Sequence, residues 1–184
     1  MVGILAIQGD VEAHARSLEQ VGASWVRVRR GQDLEGLDAL VLPGGESTTI
    51  AKGIDRVGLH EPLLAFARAG HPILGTCAGA VLLGREVENH PVRSLELLDA
   101  RVVRNAYGTQ VDSFSAMADG EMEGLRCVFI RAPQFRDPGP DVEVLAEVEG
   151  RPVLVRQANV LAASFHPELT ADVRVHQMLI DSIN

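Results

Sequence analysis

The sequence predicts an α/β domain with a mostly parallel central sheet and helices on both faces. Three observations carry this expectation. Short, continuous apolar runs of strand length alternate with segments whose apolar residues recur at helical spacing. Hydrophobic residues make up 46% of the 184 residues but aromatics only 4%, so Val, Leu, Ile and Ala must build the core, unlike the aromatic-rich interior of a β-sandwich. No internal repeat, low-complexity segment or Gly/Pro/Ser-rich linker divides the chain, which predicts one domain over residues 1–184.

Residues 2–7 form an unbroken apolar run, the pattern of a strand buried on both faces. Val11, Ala15, Leu18 and Val21 follow at helical spacing, and Gly22 is placed to stop that helix. Trp25, Val26 and Val28 predict a second strand, and residues 39–42 a third that ends at Pro43-Gly44-Gly45. Leu59, Leu63, Phe66 and Ala67 mark a helix. Ile73-Leu74 form a short strand running into Gly75, with a small-residue helix starting at Ala78. In the second half, residues 101–104, 127–130, 142–148, 152–156 and 160–164 read as strands at shorter spacing, which predicts an antiparallel extension of the sheet. Val173, His176, Leu179/Ile180 and Ile183 give a final helix.

Composition excludes several function classes. Seventeen basic and 25 acidic residues leave a net charge of 17 − 25 = −8, and Lys52 is the only lysine. An acidic domain lacks the basic face that nucleic acid or an anionic membrane requires. The longest nearly apolar run, residues 72–84, is too short to span a bilayer. No basic region precedes the apolar N-terminus, so no signal peptide is expected. Two cysteines, Cys77 and Cys127, make no disulfide framework, and a reduced, cytoplasmic location with free thiols follows. His14, His60, His71, His90 and His176 have no ligand-like spacing to one another or to cysteine, so no metal site is expected.

The sharpest local signal is Gly75-Thr76-Cys77-Ala78-Gly79. A nucleophile on a sharp strand-to-helix turn has an exposed side chain, and flanking glycines remove the side chains that would clash there. The following helix points its N-terminus at the sulfur and favours thiolate. The plainer alternative is a structural cysteine in a tight packing turn. Cys127, inside an apolar strand, reads as core filler. His166-Pro167-Glu168 follows the strand at 160–164. In extended backbone, residues two apart share a side, so Glu168 can orient the His166 imidazole as the third group of a Cys-His-acid triad. The alternative is a surface His-Pro turn with a solvated Glu. Pro43-Gly44-Gly45-Glu46-Ser47 ends a strand, and its backbone N–H groups can approach a ligand closely. Gly45 N–H can join Ala78 N–H in holding an oxyanion. No Gly-Lys-Ser/Thr follows, so this is no Walker loop, and the dinucleotide glycine fingerprint is absent after the first strand. Gln8 follows the first strand, whose carboxyl end borders the expected ligand crevice. It is read either as a site-adjacent or partner-contacting residue or as an N-cap-like turn residue.

A strand-end Pro-Gly-Gly, a G-x-C-x-G elbow and a late His-Pro-Glu, in this order, resemble the class I, triad-type glutamine amidotransferases. One departure is Val81, where many members of the wider class have Gln. Further motifs resemble the glutaminase subunits of two-component pyridoxal 5′-phosphate synthases. They are Leu5-Ala6-Ile7-Gln8-Gly9, Gly44-Gly45-Glu46-Ser47-Thr48-Thr49, Arg104-Asn105-Ala106-Tyr107-Gly108, Gln110-Val111-Asp112-Ser113-Phe114, Phe129-Ile130-Arg131-Ala132-Pro133 and Phe165-His166-Pro167-Glu168-Leu169-Thr170. Tyr107, where Phe is common, and Thr109, in place of a basic residue, depart from that pattern without touching the triad.

The resemblance implies a flavodoxin-like three-layer α/β sandwich. It implies hydrolysis of L-glutamine to glutamate and ammonia by Cys77, His166 and Glu168 through a glutamyl thioester. Gly45, Glu46, Ser47, Arg104, Ile130 and Arg131 would contact the glutamine, an Arg taking the α-carboxylate and Glu46 the α-ammonium. The partner implied is a (β/α)₈-barrel synthase subunit within a large hetero-oligomer. Pyridoxal 5′-phosphate is the product made on that partner, and the glutaminase half-reaction needs no metal or organic cofactor. Two other readings stay open. A class I glutaminase serving a different synthase would have the same chemistry. A stand-alone cysteine hydrolase of similar fold would act on peptides or aldehydes and have no need of Arg104 and Arg131.

Overall fold

The computed structural model describes residues 1–88, 92–104, 106 and 113–183. The motif residues Asn105 and 107–112, including Tyr107 and Thr109, lie outside the described residues, as do His90 and Asn184.

Apolar continuity decides which strands form the central sheet. Strands β1 (Val2–Leu5), β3 (Ala39–Leu42) and β4 (Ile73–Thr76) are buried along their whole length. Their side chains alternate between two cores. Ile4, Val41 and Leu74 pack into one, and Leu5, Leu42 and Ile73 into the other. β2 (Trp25–Val28) pairs with β1 in parallel, Val2 opposite Trp25, and closes one edge. Seven strands then lie in the order β2-β1-β3-β4-β12-β11-β10, where β10 is Glu143–Val148, β11 is Arg151–Gln157 and β12 is Val160–Ala163. β11 and β10 run antiparallel, as expected of an extension, but β12 runs parallel to β4, with Val160 opposite Ile73.

Two expected strands leave the main sheet. β6 (Leu98–Val103) pairs with β5 (Gly84–Glu88) and β9 (Gln134–Arg136). β8 (Arg126–Ile130) pairs with β7 (Ser113–Met117). β6 from Leu98 to Val102, and β8 along its length, alternate between buried and more exposed positions, so each has one face to bury and suits a small outlying sheet. The charged or polar residues of β5, β7 and β9 give no continuous apolar run.

Helices complete three layers. α1 (Val11–Gln20) and α5 (Arg174–Asp181) bury Ala15, Leu18, Val175 and Leu179 against one face. α2 (Ser47–Arg56), α3 (His60–Arg68) and the short α4 (Ala78–Leu83) cover the other. The sequence reading did not anticipate α2. Its apolar stripe is brief, and its cap is Glu46, whose carboxylate accepts the Thr48 and Thr49 N–H groups at 3.0 and 2.7 Å. The loops that follow β1, β3, β4 and β12 all leave the carboxyl edge of the parallel strands, where open α/β sheets bind ligands.

Candidate active site

Cys77 occupies the sharp turn between β4 and α4 with φ 47° and ψ −106°. A non-glycine residue in that conformation stores roughly 1–3 kcal/mol of strain, which the surrounding packing must hold. Two backbone bonds pin the turn. Cys77 N–H donates to the Ala163 carbonyl on β12 at 2.8 Å, and Val81 N–H donates to the Cys77 carbonyl at 3.1 Å. Gly79 lets α4 lie directly on β3, because a Cβ there would sit 1.9 Å from the Leu42 carbonyl oxygen. The sulfur is largely buried and lies 3.9 Å from the Ile130 carbonyl oxygen.

His166 follows β12, and its N–H donates to the Val128 carbonyl of β8 at 2.8 Å. Pro167–Leu169 then forms a 3-10 turn with proline at its start. Glu168 therefore reaches His166 through this turn and not through an extended i, i+2 arrangement. His166 Nδ1 lies 2.7 Å from Glu168 Oε1, and the Glu168 side chain is buried. With Nδ1 committed to the carboxylate, Nε2 is left to serve Cys77. Burial works against charge on the imidazole, but hydrogen bonds to Cys77 and Glu168, and the fields of both, outweigh it and raise the His166 pKa to about 10. Burial also opposes ionisation of Glu168, but nearby His14 and the His166 hydrogen bond hold its carboxyl below the usual range.

The 43–47 loop closes over this pair. A Cβ on Gly44 would stand 2.5 Å from His166 Cε1 and 3.4 Å from Cys77 Cβ, so only glycine permits the loop to touch both. Gln8 props the loop, since its Oε1 accepts the Glu46 N–H at 3.0 Å. The Glu46 carboxylate is already engaged. It caps α2 and receives Arg104 Nη2 at 3.0 Å, while Arg104 Nη1 reaches Thr48 Oγ1 at 3.3 Å. Burial opposes the charge on Glu46, but the Thr49 and Thr48 hydrogen bonds outweigh it and bring its pKa down to about 2. Arg104 arrives directly after β6, and Ile130 and Arg131 at the end of β8, Arg131 with φ 44°.

A cavity of about 320 Å³ lies over Cys77, near the lower end of the range for small-molecule sites. Gln8, Gly45, Glu46, Ser47, Cys77, Ala78, Arg104, Ile130, Arg131 and His166 all line it. Glu168 is the one predicted site residue outside that lining; it sits behind His166. Two wall residues were not singled out as contacts. Val81, noted only as a departure, faces the cavity, and Pro133 closes the segment that carries Ile130 and Arg131. Cys127 is fully buried, and burial pushes its thiol up to about 12. Among the described residues no group of three or more His, Cys, Asp or Glu is placed to hold a metal ion.

His14 and His176, distant in sequence, meet behind the site with ring nitrogens 3.0 Å apart. Sequence spacing carries no signal for that contact.

A model of the SNO glutamine amidotransferase family matches residues 4–184. The chain is 45% identical to a pyridoxal 5′-phosphate synthase subunit PdxT from Fervidobacterium nodosum, covering 100% of this chain and 97% of that protein. It is 51% identical to a protein of the same description from Frankia alni, over 99% and 94% of the two chains. A crystal structure of a glutamine amidotransferase superposes with a TM-score of 0.95 at 45% identity, covering 99% of this chain and 98% of the other.

Proposed function

This chain belongs to the SNO glutamine amidotransferase family, and from that premise we propose that it is the glutaminase subunit of a pyridoxal 5′-phosphate synthase. It hydrolyses L-glutamine to glutamate and ammonia. The observation that carries the reading is the strained Cys77 turn, with His166 hydrogen-bonded to Glu168 and lining, together with Cys77, a cavity of amino-acid size.

His166 holds the Cys77 proton as an imidazolium braced by Glu168. The thiolate attacks the side-chain carboxamide carbon of glutamine. Gly45 and Ala78 N–H groups take the developing oxyanion, and losing one such donor typically costs ~10²–10³ in rate. His166 then returns its proton to the departing ammonia, leaving a glutamyl thioester on Cys77. Water, deprotonated by His166, attacks the thioester and releases glutamate. No metal or organic cofactor takes part in these steps.

The amino-acid end of the substrate meets Glu46, Ser47, Arg104, Ile130 and Arg131. Glu46 is bonded to Arg104, so that pair meets the ligand largely neutralised. Arg131 lines the cavity and has no ion pair among the described residues. It is the guanidinium assigned here to the α-carboxylate. Gln8 holds the oxyanion loop through Glu46 N–H.

The ammonia passes to a (β/α)₈-barrel synthase subunit in a large hetero-oligomer, where pyridoxal 5′-phosphate is made. Among the described residues no helix is long and apolar enough to cross a membrane, and the free thiol of the nucleophile suits the reduced cytoplasm.

The test is glutamate release from L-glutamine by the purified chain, with and without the barrel subunit. Release that the partner stimulates and Cys77→Ala abolishes is the expected result. Equal release without the partner would assign the glutaminase to another synthase. No release in either case would overturn the reading.

A further inference from the structure

We propose that His14, held by His176, is a positioning residue for the triad: it fixes the free oxygen of Glu168 through its Nε2–H. This inference rests on the glutaminase reading and names a part of the machinery that the triad itself does not include.

Three contacts place it. His14 on α1 is fully buried, with Nε2 3.5 Å from Glu168 Oε2 and 3.2 Å from Thr76 Oγ1, and Nδ1 3.0 Å from His176 Nε2 on α5. Thr76 immediately precedes the nucleophile. Glu168 Oε1 is taken by His166, but Oε2 is buried and has no hydrogen-bond partner. His14 Nε2 approaches it to 3.5 Å. A buried carboxylate with one oxygen unpartnered is expensive to keep charged.

The tautomers follow from counting protons. Burial lowers the pKa of both rings, that of His176 to about 3, so both are neutral and each has one N–H. In one arrangement His176 Nε2–H donates to His14 Nδ1, and His14 Nε2–H faces Glu168 and Thr76. The bare lone pair then falls on His176 Nδ1, which has no partner. In the other, His14 Nδ1–H donates to His176. The His14 Nε2 lone pair then confronts the carboxylate, and His176 Nδ1–H becomes a buried donor with no acceptor. The second arrangement adds a repulsion and orphans a donor, so the first holds. The charged or titratable groups acting on His14 are Glu168 and His166 from the turn after β12, His176 from α5, and Asp10 at the start of its own helix.

The consequence is directional. An N–H aimed at Oε2 favours the ionised Glu168, and an ionised, fixed Glu168 favours the His166 imidazolium. Removing that N–H moves the His166 pKa down.

The decisive variants are His14→Phe, which keeps a ring but no donor, and His14→Gln, whose amide nitrogen sits where Nε2 does. With the synthase partner present, His14→Phe is expected to lower kcat about tenfold with KM within twofold. The His166 titration, read by NMR on the isolated chain, is expected to drop by about one pH unit, and His14→Gln to recover most of both. An unchanged His166 titration in a folded His14→Phe, or equal loss in both variants, would mean His14 only packs and would overturn the proposal. Should His14→Phe fail to fold, ¹⁵N spectra of the unmutated protein decide. A proton on His14 Nε2 supports the relay, and one on Nδ1 overturns it. Because the NMR arms need no turnover, they separate this proposal from the glutaminase assignment, which falls only if the unmutated complex releases no glutamate.

Discussion

Gly44→Ala tests how tightly the glycine loop and the triad are fitted together. The added Cβ would lie 2.5 Å from His166 Cε1, whereas ordinary contact begins at 3.4 Å, so loop or ring must yield by about 3.4 − 2.5 = 0.9 Å. The ring has little room to retreat. Its Nδ1 is held 2.7 Å from a buried Glu168, and its backbone N–H is fixed to Val128. The loop is held from the other side by Gln8. A displacement near 1 Å at reacting groups can cost ~10²-fold in rate. Steady-state glutamate release by the complex should therefore show kcat reduced about 10²-fold. The melting temperature should change by only a few degrees, because the strain falls on the loop over Cys77 and not on the packed strands and helices of the two cores. A kcat within threefold of the unmutated protein would refute the claim that this loop and imidazole are in mutual contact.

Two further outcomes follow from the electrostatics. Hydrogen bonding to Cys77 helps raise the His166 pKa to about 10, so in Cys77→Ala the NMR titration of His166 should move toward 6.5, and an unmoved titration would separate the pair. Glu46→Ala uncaps α2 and frees Arg104; the lost cap should cost about 1 kcal/mol, or ~2–4 °C in Tm, and the half-exposed ion pair little more. The Glu46 pKa is depressed to about 2, so its contribution is complete above the unfolded value of 4.5 and is lost as pH falls toward 2. Melts of Glu46→Ala and the unmutated protein should differ at pH 7 and converge near pH 2; a gap that persists there would place the effect elsewhere.

Much of the fold could be read in advance because burial on both faces writes itself as unbroken apolar runs. Residues 2–7, 39–42 and 73–74 mark the sheet for that reason. The strand read at 101–104, which the structure extends over Leu98–Val103, was visible as a strand but not as an outlier, since one-faced alternation does not say which sheet receives the covered face. α2 was missed because its start reads as a glycine-rich loop. The cap that makes it a helix is a carboxylate, Glu46, that sequence reading assigned to the substrate.

Cys77, between two glycines after an apolar strand, and His166 with Glu168 two residues on, are short local patterns. Their chemistry is legible because strand–turn–helix geometry is set by neighbours in the chain. What the sequence determined by itself was therefore the strands of the main sheet, the elbow and the three residues proposed as the triad. Which groups surround those residues depended on the tertiary structure. Glu46 meets Arg104 across 58 residues, and His14 meets His176 across 162. Such contacts follow from where helices and outlying sheets pack, and packing is a property of faces brought together in space, for which linear spacing holds no record.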